Sequence, residues 1–322
     1  MPSSVLTVEH ETVYRYAQPV HFLEHRLLYR PRSAHDFDVL ASSLEISPKA
    51  DVREIQDVFS NSVTLFTPRT SANRLRVVAR FAIRWTGVRR VQQPIAPHAE
   101  RYPFDYTAEE RRDLGGRLEP HYSDPEGRLY EWTRALLRDD PRPPTRELLD
   151  RIAKRIRADF AYVSRDEEGT QSPDQTLQIK SGTCRDFALL MMEAVRRLGI
   201  AARYVSGYLY DPKLDRDDNK DGIADMQGAG STHAWLHVYL PGAGWVPFDP
   251  TNPQAGAASH IRVAHARDPA QALPLQGNWY GAVEDYLGMD VRVTVSRVRS
   301  PEALAKLLPP ILRPKERAAP RE

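Results

Sequence analysis

Residues 181–198, SGTCRDFALLMMEAVRRL, constrain the fold of this chain more than any other stretch. Residues 181–183 provide a flexible start with a hydroxyl N-cap, and Gly199 suits the end of a helix. Between them, apolar side chains recur at three- and four-residue steps: Phe187, Leu190, Met191, Ala194, Val195 and Leu198. This period predicts a helix with one buried face. Its first turn carries Cys184, the only cysteine among the 322 residues.

Cys184 has two interpretations. Free backbone N–H groups and the positive end of the helix dipole favour a thiolate nucleophile at a helix N-terminus. Free cysteine is also among the residue types most often buried as a small hydrophobe. The adjacent Arg185 and Asp186 fit a core position poorly, so we interpret Cys184 as a nucleophile. A single cysteine also excludes an intrachain disulfide and suits a reducing compartment.

A base for this nucleophile is best sought in residues 231–240, STHAWLHVYL. Apolar side chains occupy every second position, which predicts a strand with one apolar face. The other face carries His233, Trp235, His237 and Tyr239. Because a cysteine nucleophile needs a base within hydrogen-bond reach, His233 is the candidate.

Asp249 is the candidate for the group that orients the histidine. The turn at residues 241–244 predicts that residues 245–249 return as a second strand ending at this aspartate. A symmetric turn pairs Asp249 with Leu236, roughly three residues or about 10 Å along the strand from His233. On spacing alone, the pair therefore requires a bulge or bend near Pro247.

Three blocks of sequence resemble, in order, the core blocks of the bacterial transglutaminase-like superfamily: SGTCRDFA at 181–188, THAW at 232–235 and GWVPFDPTN at 244–252. The resemblance implies a papain-like site, with Cys184 as nucleophile, His233 as general base and acid, and Asp249 as the orienting carboxylate. The segment HIRVA at 260–264, followed by Arg267 and Asp268, also resembles the part of the family that follows the aspartate.

The parity of the strand gives a further expectation for the side chains beside His233. Trp235 and His237 share its face, so we expect both to point toward the cysteine helix. Trp235 should form a wall of the site, and His237 should be structural. Ordinary packing between layers is the alternative for both residues.

Strand patterns dominate the first part of the chain. Residues 6–16 and 75–85 alternate with period two, which predicts an all-β sandwich over residues 1–86. This region resembles the N-terminal domain often attached to the superfamily in bacteria. Four arginines line one face of the second stretch: Arg74, Arg76, Arg80 and Arg84. We interpret them as the solvated side of an edge strand, the alternative being a binding face.

The proline-rich residues 87–125 predict a linker, and residues 126–299 the catalytic domain. Residues 300–322 predict a partly disordered tail. The predicted fold class is therefore α+β. It comprises an N-terminal β-sandwich and a papain-like, transglutaminase-like core in which the cysteine helix packs on an antiparallel sheet.

The resemblance implies a cysteine-dependent enzyme that acts on an amide bond of a peptide or protein through a thioester and requires no cofactor. We favour an amide-bond hydrolase, a peptidase or amidase, because water at about 55 M needs no acceptor-binding groove. A transglutaminase or acyltransferase with the same triad and a non-catalytic protein-binding module are the alternatives. A formal charge of +2 gives no reason to expect nucleic acid or an anionic membrane as partner. The sequence has no signal-peptide pattern and no apolar run long enough to cross a bilayer, so we expect a cytoplasmic protein.

Residues 217–225, DDNKDGIAD, place oxygen-bearing side chains at alternate positions around a glycine. The pattern resembles calcium loops of the EF-hand and thrombospondin-repeat kind, with these ligands: Asp217, Asn219, Asp221 and Asp225. Gly228 stands where an EF-hand has its bidentate glutamate, so the predicted Ca²⁺ site is weak. The alternative is an exposed acidic loop kept soluble by its charges.

Overall fold

The computed structural model describes residues 5–85, 93–165, 169–215, 231–254 and 259–298. The predicted calcium ligands in residues 217–225 and the predicted tail, residues 300–322, lie outside the described residues. Within the described ranges the helices are α1 (Ala108–Leu114), α2 (Arg128–Arg134), α3 (Thr145–Asp159), α4 (Pro173–Ile179) and α5 (Cys184–Arg197). None of these helices is long and apolar enough to span a membrane.

The strands of the described residues fall into an early, a middle and a late group. The early strands are β1 (Val5–Leu27), β2 (Phe37–Ser47), β3 (Ala50–Gln56), β4 (Ser62–Pro68) and β5 (Ala72–Trp85). The middle strands are β6 (Ala161–Tyr162), β7 (Ser181–Gly182), β8 (Ala202–Leu209), β9 (Thr232–Leu240), β10 (Gly244–Phe248) and β11 (His260–Ala266). The late strands are β12 (Leu275–Tyr280) and β13 (Tyr286–Arg297).

The 23-residue strand β1 organises the N-terminal half because it pairs with four other strands. Up to Arg15 it pairs with β5 on one side and β13 on the other, and its second half pairs with β4 and β12. The register of the β1–β5 ladder shifts between Arg15 and Val20. The resulting antiparallel sheet encloses an apolar core: Tyr16, Phe22, Phe66, Leu75 and Val77. Together with the helical second half, this sheet confirms the predicted α+β class.

The arginine stripe on β5 does not lie at a sheet edge, so that interpretation was wrong. β5 lies between β2 and β1, and two of its arginines contact acidic side chains on these neighbours. Arg80 contacts Glu9 of β1 and Glu45 of β2, and Arg76 contacts Glu11 of β1. An alternating pattern of charges predicts a strand with one polar face. It does not show whether that strand lies at the edge of the sheet or between two strands that carry opposite charges.

The late strands return to the N-terminal sheet. Both β12 and β13 pair with β1, with Val8 opposite Val295. The sequence grouped residues 126–299 into one catalytic domain, whereas the sheet organisation places residues 275–297 with the first domain. Alternation predicts that a segment is a strand, but it does not identify the strand with which the segment pairs.

Part of the predicted linker, residues 87–125, folds onto the second half of the molecule. Thr107 and Glu110 form a capping box that starts α1. Just before it, the Tyr106 hydroxyl donates to the carbonyl of Tyr239 and accepts the N–H of Ala201. The sequence missed α1 because its seven residues are too few for an apolar period to emerge.

The second half is built on a four-stranded antiparallel sheet in the order β10–β9–β8–β11. Helix α5 packs on β9 through its predicted apolar face, in one core formed by Phe187, Leu190, Met191, Ala234, Leu236 and Val238. Further along α5, the buried Glu193 carboxylate pairs with Arg196 and accepts the N–H groups of His121 and Tyr122. These contacts hold the cysteine helix between the four-stranded sheet and the segment around residues 121–122.

The two halves share a further core between the N-terminal sheet and strands β8 and β11. Val8 and Phe81 meet Tyr208 and Ile261 there. His10 of β1 is also buried at this contact, with Nδ1 2.8 Å from the Tyr208 hydroxyl. The His10–Tyr208 hydrogen bond therefore joins the two halves within an otherwise apolar core.

Burial lowers the pKa of His10 from 6.5 to about 4. Below pH 6.5 the unfolded chain therefore binds a proton that folded His10 does not, so stability falls as the pH falls. Between about pH 6.5 and pH 4.5 this residue alone should cost about 2 kcal/mol of unfolding free energy. We expect His10→Gln to flatten the pH dependence of that free energy, measured by urea denaturation. The exposed His98→Gln is the control, and equal slopes for wild type and His10→Gln would contradict the prediction.

Candidate active site

Cys184 is the first residue of α5, and a buried carboxylate fixes the start of that helix. Asp186 accepts the N–H and the hydroxyl of Thr183, the N-cap residue, at 2.8 and 2.9 Å. It also accepts the guanidinium of Arg165 and the N–H of Gln171. Asp186, in the first turn of α5, thus ties three segments together around Cys184, which is itself 8% exposed.

The hairpin of β9 and β10 places Asp249 differently from a symmetric turn. Gly244 pairs with Leu240, so the loop has three residues and the register differs by one from the expected register. This shift puts Asp249 on the His233 side of the hairpin. No bulge is needed at Pro247, which lies within the regular ladder.

Asp249 is a buried carboxylate with hydrogen bonds to both oxygens. Oδ1 accepts the N–H groups of Thr251 and Asn252 at 2.9 and 3.1 Å, and Oδ2 lies 2.8 Å from Nε2 of His233. Burial would raise the pKa of Asp249, but the charge of His233 and the hydrogen bonds from His233 and His260 hold that pKa far below its usual range. The carboxylate is therefore ionised and acts as an acceptor only.

His233 is fully buried, and its two ring nitrogens have different surroundings. Nε2 faces Asp249, which leaves Nδ1 for Cys184. Burial would lower the pKa of His233, but the charges of Asp249 and Cys184, together with the hydrogen bonds to both residues, raise it to about 10. At neutral pH the ring is thus protonated, the form that stabilises a cysteine thiolate. The structure brings the three residues together, while their catalytic roles remain predictions.

His260 shares the aspartate with His233. Its Nε2 lies 2.9 Å from the same Oδ2 of Asp249, and the Trp235 ring packs against it with centroids 4.8 Å apart. Sequence reasoning gave His260 no role, although the HIRVA block marked its segment. A histidine on β11 reaches Asp249 only through the pairing of distant strands, which spacing along the chain does not reveal.

Two family models match this chain. Residues 132–250 match the model described as the transglutaminase-like superfamily. Residues 6–84 match the model of the bacterial transglutaminase-like N-terminal region, and the two matches together cover more than half of the chain. The chain belongs to the transglutaminase-like superfamily.

The curated relatives of this transglutaminase-like chain are uncharacterized proteins. One from Mycobacterium bovis and one from Mycobacterium tuberculosis are each 37% identical over 160 residues, which is 48% of this chain and 48% of theirs. The chain thus spans about half the length of the curated relatives it matches. An uncharacterized protein of Bacillus subtilis is 38% identical over 79 residues, 24% of this chain and 11% of that protein.

A solved structure shares the transglutaminase-like fold over nearly the whole chain. It is named "putative cysteine protease" and comes from Cytophaga hutchinsonii. Its TM-score is 0.64 at 17% identity, and the match covers 93% of this chain and 92% of that one. Superfamily membership and this shared fold support a cysteine-dependent enzyme.

Trp235 and His237 do not face the cysteine helix, so that expectation was wrong. The core around α5 takes the alternate side chains of β9, Ala234, Leu236 and Val238. Trp235 is 1% exposed, and its ring stacks on His233 and packs at a tilt against His260. It therefore packs behind the two histidines, and its role as a wall of the transglutaminase-like site remains a prediction. His237 contacts Arg203, with 3.2 Å between Nδ1 and the guanidinium.

Tyr162 is a further residue of the transglutaminase-like site that sequence reasoning missed. β6 pairs in parallel with β7, which brings Tyr162 beside Gly182 and the start of α5. Burial, and then the charges of Cys184 and Asp249, raise the pKa of Tyr162 to about 12. The hydroxyl is therefore a proton donor at neutral pH. A two-residue strand is too short for a sequence pattern to show which strand it joins.

His233, Asp249 and His260 also have the residue types of a metal site, and their ligand atoms lie within 4.8 Å of one another. Both Nε2 atoms, however, lie 2.8 and 2.9 Å from one oxygen of Asp249. These are ordinary N–H···O distances, and each ring needs a proton on Nε2 to make the contact. We interpret the cluster as a hydrogen-bond network rather than a metal centre.

Proposed function

We propose that this chain is a cysteine-dependent amide-bond hydrolase, a peptidase or amidase, that acts on a peptide or protein. The observation that supports the proposal is that His233 interacts with both Asp249 and Cys184. Its Nε2 lies 2.8 Å from Asp249, and the charge of Cys184 and a hydrogen bond to Cys184 help to raise the pKa of the ring. Nδ1 is the nitrogen left to exchange a proton with Cys184 and the substrate.

In the proposed reaction the Cys184 thiolate attacks the amide carbon and forms a C–S bond. His233 gives its Nδ1 proton to the departing nitrogen, so the C–N bond breaks and a thioester remains. The neutral ring then takes a proton from water, whose oxygen attacks the thioester, and the sulfur leaves as the thiolate. Asp249 orients the ring and stabilises its charged form in both steps.

The oxyanion formed at each attack needs hydrogen-bond donors. The N–H of Cys184 is one candidate, because the first N–H groups of a helix have no intrahelical acceptor. Tyr162 is our candidate for the second donor, since its hydroxyl keeps its proton and lies near enough to Cys184 for the thiol to act on its pKa.

We expect Tyr162→Phe to lower kcat about 10- to 100-fold with little change in KM, because an oxyanion donor acts on the transition state. Steady-state kinetics on a cleaved peptide would measure this effect. Tyr130→Phe, at an exposed position on α2, is the matched control. An unchanged kcat in Tyr162→Phe would show that the hydroxyl has no such role.

Water and a lysine amine are competing acceptors for the thioester. We propose hydrolysis, because water at about 55 M needs no acceptor groove, whereas a transferase must exclude it. A peptide library digested in heavy-oxygen water, with and without an added alkylamine, tests this choice by mass spectrometry. Heavy oxygen in the products supports hydrolysis, and amine adducts formed in preference support a transglutaminase. The absence of both products would favour the non-catalytic binding module.

A further inference from the structure

A cavity of about 640 Å³ lies beside the four-stranded sheet. Its walls come from the loop after β1, from α3, and from strands β8 to β11. Among the described residues neither Cys184 nor His233 lines it, although Asp249 and His260 do. This is the size range of pockets that bind small molecules. The cavity is therefore distinct from the sulfur side of the candidate active site.

Basic side chains dominate the lining: Arg32, Arg146, Arg203, Arg262, His35, His237 and His265. Arg262 pairs with Asp36, and Asp249 is occupied by two histidines. Asp150 also lines the cavity, one helical turn from Arg146 on α3.

Two arginines at the cavity donate to carbonyl groups rather than to carboxylates. Arg32 donates to the carbonyl of Ser60, and Arg146 to that of Gln93. A neutral carbonyl leaves the guanidinium charge available to a ligand. Arg203 is held nearby by the Trp245 ring, 4.2 Å below its guanidinium carbon. Guanidinium groups bind carboxylate and phosphate groups in preference to other anions because their donors match two oxygens.

Two cavity histidines have ring nitrogens without partners. Nδ1 of His260 and Nδ1 of His265 are buried and make no hydrogen bond to any described residue. His260 is 7% exposed, and its other nitrogen holds Asp249. Burial, and then the charges of nearby arginines such as Arg203 and Arg262, lower the pKa of His265 to about 3. His265 is therefore neutral at physiological pH, and the positive field of the cavity comes from its arginines.

One side of the cavity is apolar, formed by Trp245, Val246, Pro247, Phe248, Ala153 and Val263. We propose that the cavity binds a small organic anion. Its carboxylate or phosphate group lies among Arg32, Arg146 and Arg203, and its apolar part lies against β10. The site goes beyond the proposed hydrolase activity and does not depend on it.

Isothermal titration calorimetry at constant ionic strength tests the proposal with three probes: inorganic phosphate, phenyl phosphate and benzoate. We expect saturable binding, with phenyl phosphate tighter than inorganic phosphate because of the apolar wall. The comparison of phenyl phosphate with benzoate distinguishes phosphate from carboxylate chemistry. Arg32→Gln and Arg146→Gln should each weaken binding about tenfold or more, the typical effect of losing a charge-assisted hydrogen bond.

Arg157→Gln is the matched control, because Arg157 is exposed on the same helix as Arg146 and does not line the cavity. It should bind with wild-type affinity, and so should Cys184→Ala, whose reaction is disabled. Two results would overturn the proposal. One is no saturable heat with any probe, and the other is equal weakening in Arg157→Gln and Arg146→Gln.

Discussion

Cys184→Ala is expected to abolish covalent labelling by iodoacetamide, because the chain has no second cysteine. Hydrolysis should fall about 10⁴-fold or more in kcat, since a triad without its nucleophile retains only binding and oxyanion stabilisation. The folded state should survive, because the substitution removes one sulfur atom and typical effects of such changes are about 1 kcal/mol. Intact-protein mass after labelling, peptide kinetics and circular dichroism measure the three quantities.

Cys184→Ser controls for side-chain size, since it keeps an atom at the sulfur position but replaces the thiol by a much weaker nucleophile. It should be as inactive as the alanine variant. If Cys184→Ala keeps hydrolytic activity while folded, the nucleophile is another residue. If labelling and activity vanish together in both variants, the assignment of Cys184 is supported independently of any effect on stability.

His233→Ala should have the second-largest effect, with kcat lowered about 10³-fold or more because both proton transfers lose their carrier. The rate of Cys184 alkylation should also fall at neutral pH. In the wild type the His233 ring has a pKa raised to about 10, so it is protonated there and stabilises the thiolate. Without the ring, fast alkylation should require a higher pH.

Asp249→Asn should have a smaller effect than His233→Ala, and it tests whether the charge of Asp249 raises the pKa of His233. The charge of Asp249 raises the pKa of His233, so its removal should lower that pKa and let the ring lose its proton at a lower pH. With the ring less often protonated, less of the thiol is ionised at neutral pH, so the rise of alkylation with pH should shift to higher pH than in the wild type, by less than in His233→Ala. His21→Ala, at an exposed position, is the control and should leave the profile unchanged. Identical profiles for wild type and His233→Ala would contradict the pairing.

The parts of the site that could be predicted from sequence depend on signals within a few residues. The apolar period of α5, its polar start and the terminating Gly199 specify a helix that begins at Cys184, and the structure has it at Cys184–Arg197. The glycine-rich turn likewise specifies the β9–β10 hairpin. Three ordered blocks around these elements were enough to identify the superfamily, which the family models confirm.

The parts that could not be predicted depend on pairing between distant segments. A turn one residue shorter or longer moves Asp249 to the other face of its strand, and composition does not decide between them. Tyr162 and His260 reach the site through β6 and β11, whose partner strands are fixed only by the completed fold. Alternation shows that β9 has two different faces, but it does not show which face packs against α5. For this reason Trp235 was wrongly predicted to point toward the cysteine helix.

The pairing of β1 with β13 has a consequence for the order of folding during synthesis. Residues 5–15 leave the ribosome long before residues 286–297, with which they share a ladder. Until the later segment emerges, that side of β1 is an open edge able to pair with another chain. The N-terminal sheet is therefore synthesised first but completed last, when β13 pairs with β1 after the cysteine helix and its sheet have been synthesised. Nascent chains should be most prone to aggregate during that interval, as expected where contacts join segments far apart in sequence.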